Sequence, residues 1–354
     1  MPTDATEISL LRLAAQRLVG PRPATPAEAV GHLLAAQAQD LPGALTSIAL
    51  RTAEPSGVRA AFDDGAVVRA WPMRGTLHAV PAADLVWMTT LMAPRPLAAA
   101  AGRRAELGLD DNALRTARDS AEAALATAEP GLTRAELLAV WQAVGLSTDA
   151  GRGYHLIVHL AQTGVLAQGP FRGTEQLFVL VDRWVPRVPR LDHEQALAEL
   201  SLRYLTGHGP ATVADLARWS GLPLGPVRAG VALVADRLEA LEVGATTYLL
   251  APGTADLLAT HRAQAEAVHL LPGFDEMVLG YADRTATIPA EHAARIVPGN
   301  NGVFRPTVLR GGRAIGVWRW VGSGSRRRVE VEAFDGEPPA ALLEEVFRAA
   351  DRLP

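Results

Sequence analysis

Two glutamines set two residues apart, Gln37 and Gln39, interrupt the apolar run Leu33-Leu34-Ala35-Ala36-Gln37-Ala38-Gln39 just ahead of Asp40. An amide holds an acceptor oxygen and an NH2 donor in one plane, so two of them can orient a water molecule and present a dipole to a developing cation without a strong acid. On an ideal α-helix, positions i and i+2 lie about 200° apart and cannot serve one centre; in an extended or unwinding segment they share a side. The helix begun at Thr25-Pro26-Ala27-Glu28 is expected to run to Gln37–Asp40 and to stop at Leu41-Pro42-Gly43, which would supply such an unwinding end. The alternative is a pair of surface glutamines, or one that caps a carbonyl.

Other residue types invite weaker readings. His155 and His159 are spaced i, i+4 on one helix face, as a metal pair requires, but no acid stands where a His-Glu-x-x-His motif needs it. His78 lies in the strand-like run Thr76-Leu77-His78-Ala79-Val80, where core filler is the usual role. Asp275 and Glu276, with Asp283 and Arg284 downstream, put three carboxylates near one arginine. They read either as general acid and base groups, or as a turn at Asp283–Arg284 with Asp275 as a buried organiser of hydrogen bonds. The run Arg326-Arg327-Arg328 tops or shoulders a β-hairpin and reads either as a solvated face or as a contact to phosphate or the minor groove. Gly322-Ser323-Gly324 is not a nucleotide loop, because no helix follows it.

The elements that must carry these residues recur in one order. A capping box at Thr133 and Glu136 opens a helix, a break at Gly145–Gly153 precedes a second (Tyr154–Gln162), and strands follow over Val165–Val181. The order returns with Thr212 and Asp215, a stop at Gly221, a second helix through Val227–Val234, and strands to Leu250. Helix, turn, helix, hairpin is the winged-helix order. An earlier copy is expected from the helix at Ala27–Asp40 and strands around Trp71 and Leu77, with a continuous helix over Arg103–Glu129 behind it. After Val268 the chain turns to short strands with Gly- and Asn-rich turns. The expected organisation is a winged-helix unit with helical extension at 1–120, second and third units at 121–190 and 191–255, and a β-rich portion with the basic hairpin at 256–354.

Composition narrows the chemistry. With 354 residues, 49 % hydrophobic and 20 % charged, the chain is long enough for several cooperating units. It has no cysteine, which excludes disulfides, thiolate metal sites and thiol nucleophiles. It has no lysine either, so all 34 basic side chains are arginine and Schiff-base chemistry is left only to a terminal amine, that of Pro2 once Met1 is removed. A net charge of −4 argues against a protein that coats nucleic acid, though not against a local basic patch. No apolar run approaches 20 residues and the first residues lack a signal-peptide pattern, so neither membrane spanning nor export is expected.

Four segments, in this order along the chain, resemble the bacterial winged-helix DNA glycosylases of the AlkZ type: Leu33–Gln39, Trp71-Pro72-Met73-Arg74-Gly75-Thr76-Leu77-His78, Leu270–Glu276 with Gly280–Arg284, and Asn301-Gly302-Val303-Phe304-Arg305-Pro306. The resemblance implies an α+β fold: three tandem winged helices in a C-shaped body with a C-terminal β-barrel-like portion. It implies a catalytic Gln-x-Gln at Gln37 and Gln39, in the branch that unhooks interstrand crosslinks, where a sister branch has Gln-x-Asp. Asp40, Arg74, His78 and Asp275 are supporting candidates, and Arg326, Arg327 and Arg328 are the DNA-binding candidates. The reaction implied is monofunctional hydrolysis of N7-alkylated purines, in a range open to bulky natural-product adducts and crosslinks. No metal or cofactor is expected, the partner is lesion-bearing double-stranded DNA, the default state is a monomer, and the location is cytoplasmic, on the nucleoid when DNA is bound. The rival readings are a non-catalytic winged-helix regulator, which would release no base, and an interaction solenoid, which would be indifferent to the glutamines.

Overall fold

The computed structural model describes residues 4–188 and 190–353. Several helices start where the sequence supplies caps. Reciprocal capping boxes join Thr25 to Glu28 at Pro26–Leu33, Thr133 to Glu136 at Arg134–Ala143, and Thr212 to Asp215 at Val213–Ser220. Each satisfies backbone N–H groups that a helix start would otherwise leave unpaired. Together with the antiparallel strands they make the α+β class that the sequence leads one to expect.

The chain forms two compact units, Met1–Val58 with Leu197–Pro354, and Arg59–Ala196. In the second, the strand Val67–Met73 pairs antiparallel with Thr76–Pro81 and with Leu166–Arg172, which pairs in turn with Glu175–Leu180. Arg74 and Gly75, both at positive φ (53° and 71°), close the first hairpin in two residues, a turn whose twist matches that of the strands it joins. The helices Arg134–Ala143 and Arg152–Gln162 precede the second hairpin in the expected order. Trp71, Trp141, Ile157 and Phe178 centre the core.

In the first unit, Ala5–Ala15 packs on Thr254–Glu266. The helices Val213–Ser220 and Leu224–Ala232 lead into the hairpin of Glu239–Val243 and Thr246–Leu250. An antiparallel meander follows, in the spatial order Arg328–Ala333, Arg313–Val321, Thr307–Arg310, His269–Leu271. The helix Ala340–Ala350 packs on its last strand. The segments 1–120 and 191–255, expected as single units, are each divided between the two compact units, at Val58 and at Ala196.

Two expected helices differ. The one that opens at Pro26 ends at Leu33 rather than at Asp40, because Leu34 takes φ 69°, ψ −44° and turns the chain out of the helix. Leu41-Pro42-Gly43 starts the next helix, Leu41–Ala49, instead of stopping the previous one. Proline is tolerated in a first turn, where its missing N–H has no partner to lose. The continuous helix expected over Arg103–Glu129 is broken by Gly108, at φ 64°, and restarts as Asp111–Leu125 with Asp110 as its cap.

Candidate active site

Between the helices Pro26–Leu33 and Leu41–Ala49, Leu34 turns the chain at φ 69°, Ala36–Gln37 are in strand conformation, and the chain bends at Gln39–Asp40, with Asp40 itself at extended dihedrals. Gln37 and Gln39 thus lie outside any helix, where the separation of about 200° between helical positions i and i+2 does not apply. Gln37 is buried, 8 % exposed, whereas Gln39 is exposed. The side-chain oxygen Oε1 of Gln37 accepts the backbone N–H of Gln39 at 3.0 Å, so the first glutamine fixes the backbone of the second. The backbone N–H of Gln37 in turn donates to Glu276 Oε1 at 2.9 Å.

Behind the pair lies a buried polar network built from the segment Phe274–Tyr281. Asp275 is fully buried and accepts Arg51 through both guanidinium nitrogens (2.7 and 2.8 Å), the Ser47 hydroxyl (2.7 Å) and the N–H of Met277 (2.9 Å). A bidentate, charge-assisted pair of this kind removes most of the cost of burying a carboxylate. Asp275 is therefore the organiser of hydrogen bonds that the sequence left as one of its two readings. Arg51 also donates to Gln16 Oε1 (2.8 Å), Gln16 Nε2 to the Tyr281 hydroxyl (2.9 Å), and that hydroxyl to the His208 carbonyl (2.9 Å). Burial drives the Tyr281 phenol well above its ordinary range, so it stays a neutral donor.

Asp40 is half-buried beside two glycines. A β-carbon on Gly43 would stand 2.5 Å from Asp40 Oδ2 and 3.0 Å from the Gly273 carbonyl oxygen, and one on Gly273 would meet the Phe304 carbonyl oxygen at 2.8 Å. At Gly273 the Phe304 carbonyl leaves no space for a β-carbon, and at Gly43 a β-carbon would have to displace the Asp40 carboxylate. Phe274 follows at φ 58°, a left-handed conformation that a bulky residue adopts only when its surroundings hold it there. Such non-glycine outliers thus stand on both segments that meet at the Gln37 amide: Leu34 on one, Phe274 on the other.

The remaining candidates fall elsewhere. In the second unit, Arg74 donates to His78 Nε2 at 2.9 Å, which leaves the His78 proton on Nδ1, donated to the Thr76 carbonyl at 2.9 Å. This pairing braces the two-residue turn. His155 and His159 share a helix, and each is shifted below the ordinary histidine value, first by burial and then by arginine: Arg103 and Arg104 for His155, Arg104 for His159. Positive neighbours oppose a cation there, and among the described residues no three His, Asp or Glu side chains cluster as metal ligands would. Asp283 accepts both the N–H and the hydroxyl of Thr285 in a turn, and Arg284 lies over the Phe304 ring at 4.9 Å. Arg326, Arg327 and Arg328 are exposed on the connection from Arg313–Val321 to Arg328–Ala333, with Arg327 over the Trp320 ring at 3.9 Å. The Pro2 amine lies outside the described residues.

Arg51, Gln16, His208 and Trp219 were not singled out from the sequence. Only Ser47 and Arg51, four apart as helix neighbours are, left a trace that a charge was tied back into an apolar run.

Comparison with known proteins bears on the same residues. The chain matches the family described as DNA glycosylase AlkZ-like over residues 30–353. It is 28 % identical over 311 residues to a Streptomyces sahachiroi protein named interstrand DNA cross-link repair glycosylase, covering 83 % of this chain and 82 % of that one. It is also similar to the solved structure of Streptomyces sahachiroi DNA glycosylase AlkZ, with a TM-score of 0.78, 25 % identity, and coverage of 100 % of this chain and 99 % of the other. The non-helical Gln-x-Gln segment and the buried Phe274–Tyr281 network both lie inside the matched span, and the chain belongs to the AlkZ-like DNA glycosylase family.

Proposed function

We propose that this glycosylase hydrolyses the N-glycosidic bond of N7-alkylated purines in duplex DNA and leaves an abasic site, with Gln37 and Gln39 as the catalytic pair. The observation that carries the reading is the non-helical Gln37–Gln39 segment, in which hydrogen bonds to Glu276 and within the pair hold both backbone N–H groups and the Gln37 side chain. Alkylation at N7 makes the base cationic, so it departs neutral and needs no strong acid. What is left is to place a water molecule and to stabilise a sugar with oxocarbenium character. Oriented amide dipoles do both, and they are effective because the protein fixes them before the reaction. Asp40, beside the pair, is the nearest carboxylate in sequence to assist that water.

With no lysine in the chain, we read the enzyme as monofunctional. The cross-link repair named for the Streptomyces relative extends by similarity to this chain, so interstrand crosslinks and bulky adducts belong to the proposed substrate range. A crosslinked base cannot swing out through 180° as flipped bases do, which favours attack within the duplex. We assign Arg326, Arg327 and Arg328 to the DNA backbone or groove, and Arg74 with His78 to support of their own hairpin. The recurrent order of helix, helix and hairpin supports reading 121–190 and 191–255 as winged-helix units; we carry the same reading to 1–120 and take the enzyme to be a cytoplasmic monomer. Among the described residues no helix is long and apolar enough to cross a membrane. Membership of an enzyme family leaves the non-catalytic regulator without support.

The test is release of N7-methylguanine from alkylated duplex DNA, followed by alkaline cleavage of the abasic sites. We expect Gln37→Ala and Gln39→Ala each to slow release by about 100-fold or more, the scale on which removal of one fixed catalytic dipole acts. Release at the parent rate in both variants would refute the catalytic assignment.

A further inference from the structure

We infer that Glu276 is the positioning residue of the Gln-x-Gln pair, and that a carboxylate is required there because N–H donors approach both of its oxygens. The inference rests on the catalytic reading of Gln37 and Gln39 given above. Glu276 has no exposed surface. Its Oε1 accepts the Gln37 backbone N–H at 2.9 Å. Its Oε2 accepts the Trp219 indole N–H at 2.9 Å and lies 3.4 Å from His208 Nε2. Behind it, the His208 ring stacks on Tyr204 with centroids 4.4 Å apart, and His208 Nδ1 has no hydrogen-bond partner among the described residues. With a proton on Nε2 the His208 ring donates to Glu276.

The neighbouring Asp275 shows what a purely structural buried carboxylate looks like in this fold: it is matched bidentately by Arg51. Glu276 instead commits one oxygen to the backbone of the first catalytic residue. From that amide the constraint passes through Gln37 Oε1 to the N–H of Gln39, so one buried side chain sets the placement of both glutamines. Glutamine at 276 has one acceptor end. It would turn its NH2 group either toward the Gln37 N–H or toward the Trp219 N–H, and one buried donor would be left facing another.

The experiment compares Glu276→Gln, Trp219→Phe and the double variant with the parent, by single-turnover release of N7-methylguanine, affinity for the same duplex, and thermal unfolding. Glu276→Gln is expected to slow release by about 10- to 100-fold, the loss that accompanies an ångström-scale misplacement, with affinity unchanged within about twofold. Trp219→Phe removes one donor to Oε2 and keeps an aromatic ring, so a smaller loss is expected, and it should add nothing to Glu276→Gln because both act through the same carboxylate. Parent-like release in folded Glu276→Gln, or losses that multiply in the double variant, would overturn the inference. If Glu276→Gln does not fold, Trp219→Phe decides alone: slowed release at unchanged affinity supports the inference, and a parent-like rate overturns it. Gln37→Ala, run alongside, separates the two readings. If it is fully active, Gln37 is not catalytic and the inference fails with that assignment; if it is inactive while Glu276→Gln is active, only the inference fails.

Discussion

The Gln37–Asp40 segment and the Gly322–Arg328 connection, which carries the three consecutive arginines, are both short, irregular and flanked by regular structure, yet they are held in opposite ways. The first is fixed by partners far away in sequence: Gln37 by Glu276, 239 positions on, and the supporting Asp275 by Arg51, 224 positions back. The second is held locally, by Arg326 and Arg327 N–H groups bonding back within the turn and by Arg327 resting on Trp320. Catalysis on a leaving base tolerates little error in where a dipole points, and only a network that closes on itself supplies that rigidity. A contact to phosphates follows a charged, deformable partner, for which an exposed arginine on a short connection is sufficient.

Four perturbations probe this contrast, taken in decreasing order of their cost to stability. Arg51→Ala leaves Asp275 as an unpaired buried charge and should cost about 3–5 kcal/mol, read as a shift in the denaturant midpoint. A shift of that midpoint no larger than a surface substitution gives would mean that the network is not what holds the segment.

Acidification comes next. Burial, followed by the repulsion of Arg17, His208 and Arg51, lowers His32 to about 4 although its ring bonds the Ala15 carbonyl. Because the folded value lies below the unfolded one near 6.5, the unfolded chain binds a proton first. The contribution is complete above about pH 6.5 and is lost as pH falls toward 4. After allowance for the partial exposure of the ring, the loss should be about 2–3 kcal/mol, and unfolding curves at several pH values should show His32→Gln lacking it. His32 lies on the helix that leads into Gln37, whereas the Gly322–Arg328 connection has arginine as its only ionisable side chain, which does not titrate in this range.

Gly43→Ala brings a methyl group against the Asp40 carboxylate and the Gly273 carbonyl and should cost about 1–2 kcal/mol of stability. If Asp40 assists the water, base release will fall further than stability does, which single-turnover rates would resolve. Replacing Arg326, Arg327 and Arg328 together by alanine should change stability least, by less than about 0.5 kcal/mol per site. It should reduce the dependence of log affinity on log salt by up to about 2.7, or about 0.9 per lost phosphate contact. An unchanged salt slope would remove these arginines from the DNA interface.

Much of the local architecture was legible beforehand because its causes are local. The helix start at Thr25, the capping boxes at Thr133 and Thr212 and the hairpin beneath Arg326–Arg328 depend on residues within a few positions of one another. The errors arose where a local signal had two meanings. Pro42 reads equally as a stop and as a first-turn residue, and nothing near Leu34 announces a positive φ in a buried leucine. The two amides and their spacing stood out, but whether they could face one way depended on the backbone between the two helices.

Sequence alone therefore limited the chemistry open to this protein: no thiol, no lysine amine, two amides two residues apart, and arginine as its sole basic side chain besides histidine. It also set the order of the elements, since helix caps and strand turns are short-range effects. Tertiary packing settled that the Gln37 backbone is gripped by Glu276, that Asp275 serves Arg51, and that Asp40 has room beside Gly43 and Gly273. Each of these arrangements brings together segments more than 200 residues apart. A buried polar group must find its partner wherever packing brings one, and nothing in the adjacent sequence records which partner that will be.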